Sequence, residues 1–114
     1  MSEERKTELG TDIDLQILDA TAKSLGMRTT ATSDTKLVVH DPAHNYGITF
    51  SQNKEGAVTA IYDDWRDHCV NTMKRLIPEY KAQLSLSRAK KVGFNSIRRT
   101  ETDTQILLHV KAKY

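Results

Sequence analysis

Cysteine is nearly missing from this chain. Cys69 is the single one in 114 residues, so no disulfide can close within it and a reducing compartment is expected. Long apolar runs are missing too: nothing approaches the ~20 residues that span a bilayer. The opening Met1-Ser2-Glu3-Glu4-Arg5-Lys6 is charged where a secretory signal would be apolar, so an intracellular chain with no membrane contact is expected. Absent as well are a glycine-rich phosphate loop, C-x-x-C, H-E-x-x-H and the aromatic signature of RNA-binding sheets. Aromatic residues make up 6% and tryptophan occurs once, at Trp65, which leaves little for base stacking. At 38% hydrophobic, the chain has enough apolar mass for one core but not for two, so residues 1–114 read as a single domain.

Neither sign of charge dominates the total of +2, but the two are unevenly placed. Residues 1–65 hold 6 Lys/Arg against 11 Asp/Glu, a net of −5, and residues 66–114 hold 11 against 4, a net of +7. Such a division suits an oriented contact with nucleic acid, an acidic partner or a second copy. It equally suits basic residues on solvated faces of a helix and a hairpin.

The centre of the chain is Tyr46 to Trp65. Gly47-Ile48-Thr49-Phe50, a turn over Asn53-Lys54-Glu55-Gly56, and Val58 to Tyr62 form a hairpin, with Val58, Ala60 and Tyr62 on one face. Upstream, residues 3–10 make a weak edge strand. Thr11 to Asp14 offers a cap for a helix whose apolar positions are Leu15, Leu18, Ala22 and Leu25, and Gly26 ends it. Met27 to Thr32 and Lys36 to His40 are strands around a Ser33-Asp34 turn, and Pro42 makes 41–45 a loop. Downstream, Pro78 predicts a break between a helix over 66–76 and another over 79–91, because a mid-helix proline costs ~3 kcal/mol. Gly93 ends the second as Gly26 ends the first. Phe94 to Arg99 and Gln105 to Lys113 make a last hairpin around Glu101-Thr102-Asp103, with Ile106, Leu108 and Val110 on one face.

Two stretches repeat. Ala22 to Met27 echoes Ala89 to Phe94, an offset of 67 (22 to 89), and Asp34 to His40 echoes Asp103 to His109, an offset of 69 (34 to 103). The expected fold is therefore α+β, in the order β-α-β-β-β-β-α-β-β. One antiparallel sheet of six or seven strands would carry two main helices on one face, with a pseudo-twofold relating the halves.

No catalytic, cofactor or metal set stands out. Asp63-Asp64-Trp65-Arg66-Asp67-His68-Cys69 is the densest polar run, yet strand alternation turns Asp63 and Asp64 to opposite sides, and Asp64 or Asp67 suits a helix cap. His40, His44, His68, Cys69 and His109 could be gathered into a zinc site only on paper, since Pro42 removes the helical spacing of His40 and His44. Cys69 reads as a small core residue. Arg88, Lys90, Lys91, Arg98 and Arg99 could form a basic surface for phosphates. Trp65 beside Arg66 has the character of an interface anchor, and equally of core packing at a strand end. The second helix has two stripes, Ile77, Tyr80 and Leu84 on one and Ala82, Leu86 and Ala89 on another; either its core face is wide or one stripe meets another subunit. The contact set expected is thus Asp63, Asp64, Trp65 and Arg66, with Tyr80 and Leu86.

Asp14 to Gly26, Tyr46 to Gly56, Ile61-Tyr62-Asp63-Asp64-Trp65, and Leu76 to Tyr80 through Ala89 to Phe94 together resemble a known family. It is the domain of unknown function twelve fifty-seven, whose members include hypothetical chloroplast reading frame thirty-five. Arg66 and Asp67 depart from it, since members carry a glycine after the tryptophan, and Tyr80 stands where many carry a tyrosine pair. The resemblance implies no established activity. It implies an accessory component near an AAA-type ATPase, in cytoplasm, in plastid stroma, or in a host cytoplasm for phage members. The expected function is a small non-enzymatic interaction protein, self-associating as a homodimer or partnering such an ATPase. The alternative is a nucleic-acid-binding module using the basic C-terminal half.

Overall fold

The computed structural model describes residues 4–11, 13–44, 46–91, 94–101 and 106–112. Along the chain run β1 (Glu4–Gly10), α1 (Leu15–Ser24), β2 (Arg28–Ser33), β3 (Lys36–His40), β4 (Gly47–Gln52) and β5 (Val58–Asp63). A 3-10 turn (Trp65–Asp67), α2 (His68–Lys91), β6 (Phe94–Glu101) and β7 (Ile106–Ala112) follow. Five strands form one antiparallel sheet in the order β1-β5-β4-β3-β2, and β6 and β7 pair separately.

Alternation in the three central strands builds the core floor. Leu37 and Val39 of β3, Ile48 and Phe50 of β4, and Val58 and Ala60 of β5 all face one side, each at most 2% exposed. Both helices lie on that side. Leu18 and Ala22 of α1 and Cys69, Leu76, Tyr80 and Leu84 of α2 close the same cluster. At the β4–β5 turn, Asn53 Oδ1 accepts the Glu55 and Ala57 amides at 3.0 and 2.9 Å, and Gly56 takes φ +87°.

The ends of α1 are set locally. Asp14 is its N-cap, accepting the Gln16 and Ile17 amides at 2.9 and 3.3 Å. At the C-terminus Met27 N–H donates to Ala22 O and Gly26 N–H to Lys23 O, both at 3.0 Å, with Gly26 at φ +82°. This is the Schellman arrangement, and it drops Met27 into the core beside Ala22. The matching Gly93 lies outside the described residues, as do Thr102 and Asp103 of the last turn.

Two expectations are corrected. Helix α2 is continuous from His68 to Lys91 with Pro78 inside it, so there is no break at Ile77. Leu76 and Tyr80, on either side of Pro78, are both at most 1% exposed in the same core, and that burial outweighs one lost helical bond. The carbonyl left without an amide belongs to Lys74, an exposed residue. The sheet has five strands, not six or seven, because β6–β7 does not join it. The second correction follows from the first. A helix of 24 residues is about 36 Å long, whereas strands of five to seven residues reach only about 17–24 Å, so α2 delivers the chain past the end of the sheet. The elongated extents, 56 × 34 × 21 Å, reflect this. A pseudo-twofold would place β6–β7 in the sheet as β2–β3 is placed, and that placement is not found.

Candidate functional site

The polar residues that the structure gathers most tightly join the 41–46 loop to the first turns of α2. Asp41 follows β3 and precedes Pro42, and its Oδ1 accepts the Ala43 amide at 2.9 Å in an Asx turn. Its Oδ2 accepts the Thr72 hydroxyl at 2.8 Å and pairs with Arg75 Nη1 at 3.2 Å. Its side chain is 4% exposed. Burial pushes the carboxyl up, but the Ala43 N–H, the Thr72 hydroxyl, Arg75 and His44 together outweigh it and hold the group below its ordinary value.

Hydrogen-bond inventory fixes the tautomer of His44. Thr72 has one hydroxyl proton, and both Asp41 Oδ2 and the His68 carbonyl, 3.1 Å away, can only accept it. The contact of 2.8 Å between Thr72 Oγ1 and His44 Nε2 therefore has the imidazole N–H donating. His44 Nδ1 accepts the Tyr46 amide at 3.1 Å. The rings of His44, Tyr46 and His68 form a triangle, with His68 stacked on His44 and on Tyr46 at 5.2 and 5.7 Å and His44 tilted against Tyr46 at 5.9 Å. Both nitrogens of His44, the Thr72 proton and both oxygens of Asp41 are thus occupied by protein atoms. No buried side-chain N or O among the described residues lacks a partner. The cluster is a clamp between loop and helix.

His40, His44, His68 and Cys69 do not converge into a metal site. Among the described residues no three His, Cys, Asp or Glu side chains form a set able to hold a metal. His40 leans over Gly47 on the opposite face of the sheet, and His109 lies in β7, paired in register with Arg98. Cys69 is fully buried, and burial, with the charges of Asp63 and Asp41, pushes its thiol up against a hydrogen bond from Asp63 backbone. Such a thiol is a poor nucleophile.

At the strand end, Asp63 Oδ1 accepts the Trp65 amide at 2.8 Å. Asp64 makes no side-chain cap bond; its carboxylate meets Arg5 Nε at 3.0 Å, tying β1 to the start of α2. Of the two residues expected to cap, Asp64 or Asp67, Asp64 stands at the N-cap of the 3-10 turn without a side-chain bond to it. Arg66 lies over the Trp65 ring, 5.2 Å from its centroid, and Trp65 is half-buried. Arg66 and Asp67 both have positive φ, 50° and 58°, where non-glycine residues cost of order 1–3 kcal/mol each.

Tyr80 is core, 1% exposed, with its hydroxyl accepting the Asp14 amide at 2.7 Å, so it presents nothing to a partner. Leu86 is half-buried in a cleft of 440 Å³ between α1 and α2, facing Ile17 and Ala20. The second stripe is largely used within the chain: Ala82 and Ala89 are 6% and 9% exposed. Arg88, Lys90 and Lys91 are exposed at the end of α2, and Arg98 and Arg99 fall in β6. Sequence reasoning did not mark Thr72, and it read Arg75, with Lys74 and Lys81, only as part of the basic surface, whereas Arg75 pairs with Asp41. The sequence marked residues 41–45 only as a loop, through Pro42, and a loop signal does not say what its aspartate meets.

No family model, curated protein or solved structure matches the chain. Among the described residues no helix is long and apolar enough to cross a membrane.

Proposed function

We propose that this chain is a small non-enzymatic interaction protein, acting through contact with other protein chains and with itself. The observation that carries the reading is the closed polar cluster. Every donor and acceptor of Asp41, Thr72 and His44 named above is spent on the protein itself, and the larger cavities are lined by other residues. A catalytic base needs a lone pair within reach of a substrate proton; here both His44 nitrogens are taken and Asp41, with its side chain 4% exposed, is buried under its partners. The family resemblance supports the same class, an accessory chain working beside an AAA-type ATPase. A buried thiol suits a reducing compartment such as cytoplasm or plastid stroma.

A second reading rests on Arg88, Lys90 and Lys91, exposed together at the end of α2, with Arg98 and Arg99 in the next strand. It makes the basic half a phosphate-binding surface for nucleic acid. Capture from native lysate, with and without nuclease and across a salt series, separates the two. A protein partner retained after nuclease supports the first reading. Release by nuclease, with a steep loss as salt rises, supports the second.

A further inference from the structure

The five-stranded sheet carries helices on one face only. On the other, the registers align Thr30, Val38, Thr49, Ile61 and Lys6 as a central row across all five strands. Val38, Thr49 and Ile61 are half-buried, yet Val38 and Ile61 are not among the residues packed against the core. Two residues further toward one end, Arg28, His40 and Gly47 align across β2, β3 and β4, and Asp63 aligns with Glu4 across β5 and β1. The face is flat there: a Cβ on Gly47 would meet His40 Cε1 at 2.8 Å and Val38 Cγ1 at 3.3 Å.

Charge divides this face across the strands. The β1–β5 side carries Glu4, Glu8 and Asp63 against Lys6, and the β2–β3 side carries Arg28 and Lys36 with no carboxylate on its strands. Among the described residues, Glu4, Glu8, Arg28 and Lys36 make no ion pair.

We propose that this face is a twofold interface with a second copy of the chain, an inference that rests on the reading as an interaction protein. A twofold axis parallel to β4 lays β1 over the partner's β2 and β5 over the partner's β3. Residues of one row then face residues of the same row. Arg28 meets the partner's Glu4, Val38 meets the partner's Ile61, and Thr49 meets its own counterpart. Lys36, over the partner's Thr59, reaches the partner's Glu8 one strand away. The acidic side of each copy covers the basic side of the other, twice, as an isologous contact requires. A twisted sheet turned about an axis along its strands keeps its shape, so the two faces stack without opening a gap, in the aligned manner of sandwiches. Five strands at about 4.8 Å and about five residues at 3.3 Å give roughly 24 by 17 Å, or about 400 Å² in projection. That is below the roughly 800 Å² per partner of a standard interface. The dimer is therefore one that dissociates on dilution and weakens with salt.

Light scattering on the full chain at high micromolar concentration and low salt tests this, with Glu4→Arg and Arg28→Glu as variants. Both sites are exposed, so folding is retained. Wild type is expected to be dimeric. Each variant sets like charges together at two contacts and should raise the dissociation constant about tenfold or more. An equimolar mixture of the two variants should dimerise again, because each variant's changed residue meets an opposite charge on the other. A monomeric wild type, variants that dimerise as well as wild type, or a mixture that stays monomeric each overturn the twofold face. A monomeric wild type that still retains a nuclease-resistant partner overturns this interface and leaves the interaction reading standing. A chain that releases everything to nuclease overturns that reading instead.

Discussion

Asp41 is the residue on which most of the local order depends, and its chemistry makes it testable by pH. Its carboxyl titrates lower in the folded chain than in the unfolded one. A depressed folded value contributes stability that is fully present above the unfolded value, about 3.9, and is lost as pH falls through the folded value. Urea midpoints taken from about pH 7 down to about pH 3 should therefore decline on the acid side. Asp41→Asn, which cannot titrate, should start lower at neutral pH and lose that part of the decline; an unchanged acid limb would mean other carboxylates carry it. Thr72→Val keeps the shape but removes the proton Asp41 receives and the oxygen His44 donates to, so a loss of about 1–3 kcal/mol is expected in the same denaturation. In sequence, Asp41 is recognisable as a turn aspartate ahead of Pro42. Its partners Thr72 and Arg75 stand 31 and 34 positions away, and no spacing rule connects a loop residue to one face of a distant helix.

The elements themselves were largely legible, because their signals are local. Helix α1 offers its cap within Thr11 to Asp14, where Asp14 takes it, and its stop at Gly26; alternation puts Val58 and Ala60 of β5 on one face, and that face is the core. Gly26→Val should cost more than about 1 kcal/mol in thermal or urea denaturation. A Cβ there meets nothing within 4 Å, so the penalty is backbone conformation alone. A neutral result would remove the Schellman stop as a determinant of the chain's turn into β2. Helix α2 was not legible, because the proline rule weighs one lost bond and cannot see Leu76 and Tyr80 sharing one core. Since Pro78 sits in a helix that would form better without it, Pro78→Ala should be stabilising by about 1–3 kcal/mol, less what the freer unfolded chain takes back. A destabilised variant would show that the ring itself packs.

At the scale of the whole molecule, the length of α2 decides the architecture. Sequence supplies seven strands and two helices, but strand count does not say which strands share a sheet. That depends on where a helix longer than the sheet sets the chain down. The echo between Ala22–Met27 and Ala89–Phe94 is accordingly a similarity of local grammar, helix then glycine then hairpin, on two units that the fold places differently. In the observed arrangement the backbones of β6 and β7 lie against α2, while the five-stranded sheet and both helices share a core that includes Leu18, Val39, Phe50, Leu76 and Tyr80. A two-stranded hairpin has little stability of its own, whereas the five-stranded sheet has both helices packed on its core face. A chain ending at Lys91 should keep the five-stranded sheet, both helices and a single cooperative unfolding transition by circular dichroism. In the full chain, the β6–β7 amides should exchange with solvent well before those of β3 and β4. Because Glu4, Arg28 and Thr49 all lie before the cut, the shortened chain should also associate at the same concentration as the full one. Loss of cooperative unfolding on truncation would show instead that the hairpin completes the core through α2, and would make the second stripe of that helix, Ala82 and Ala89, a structural necessity.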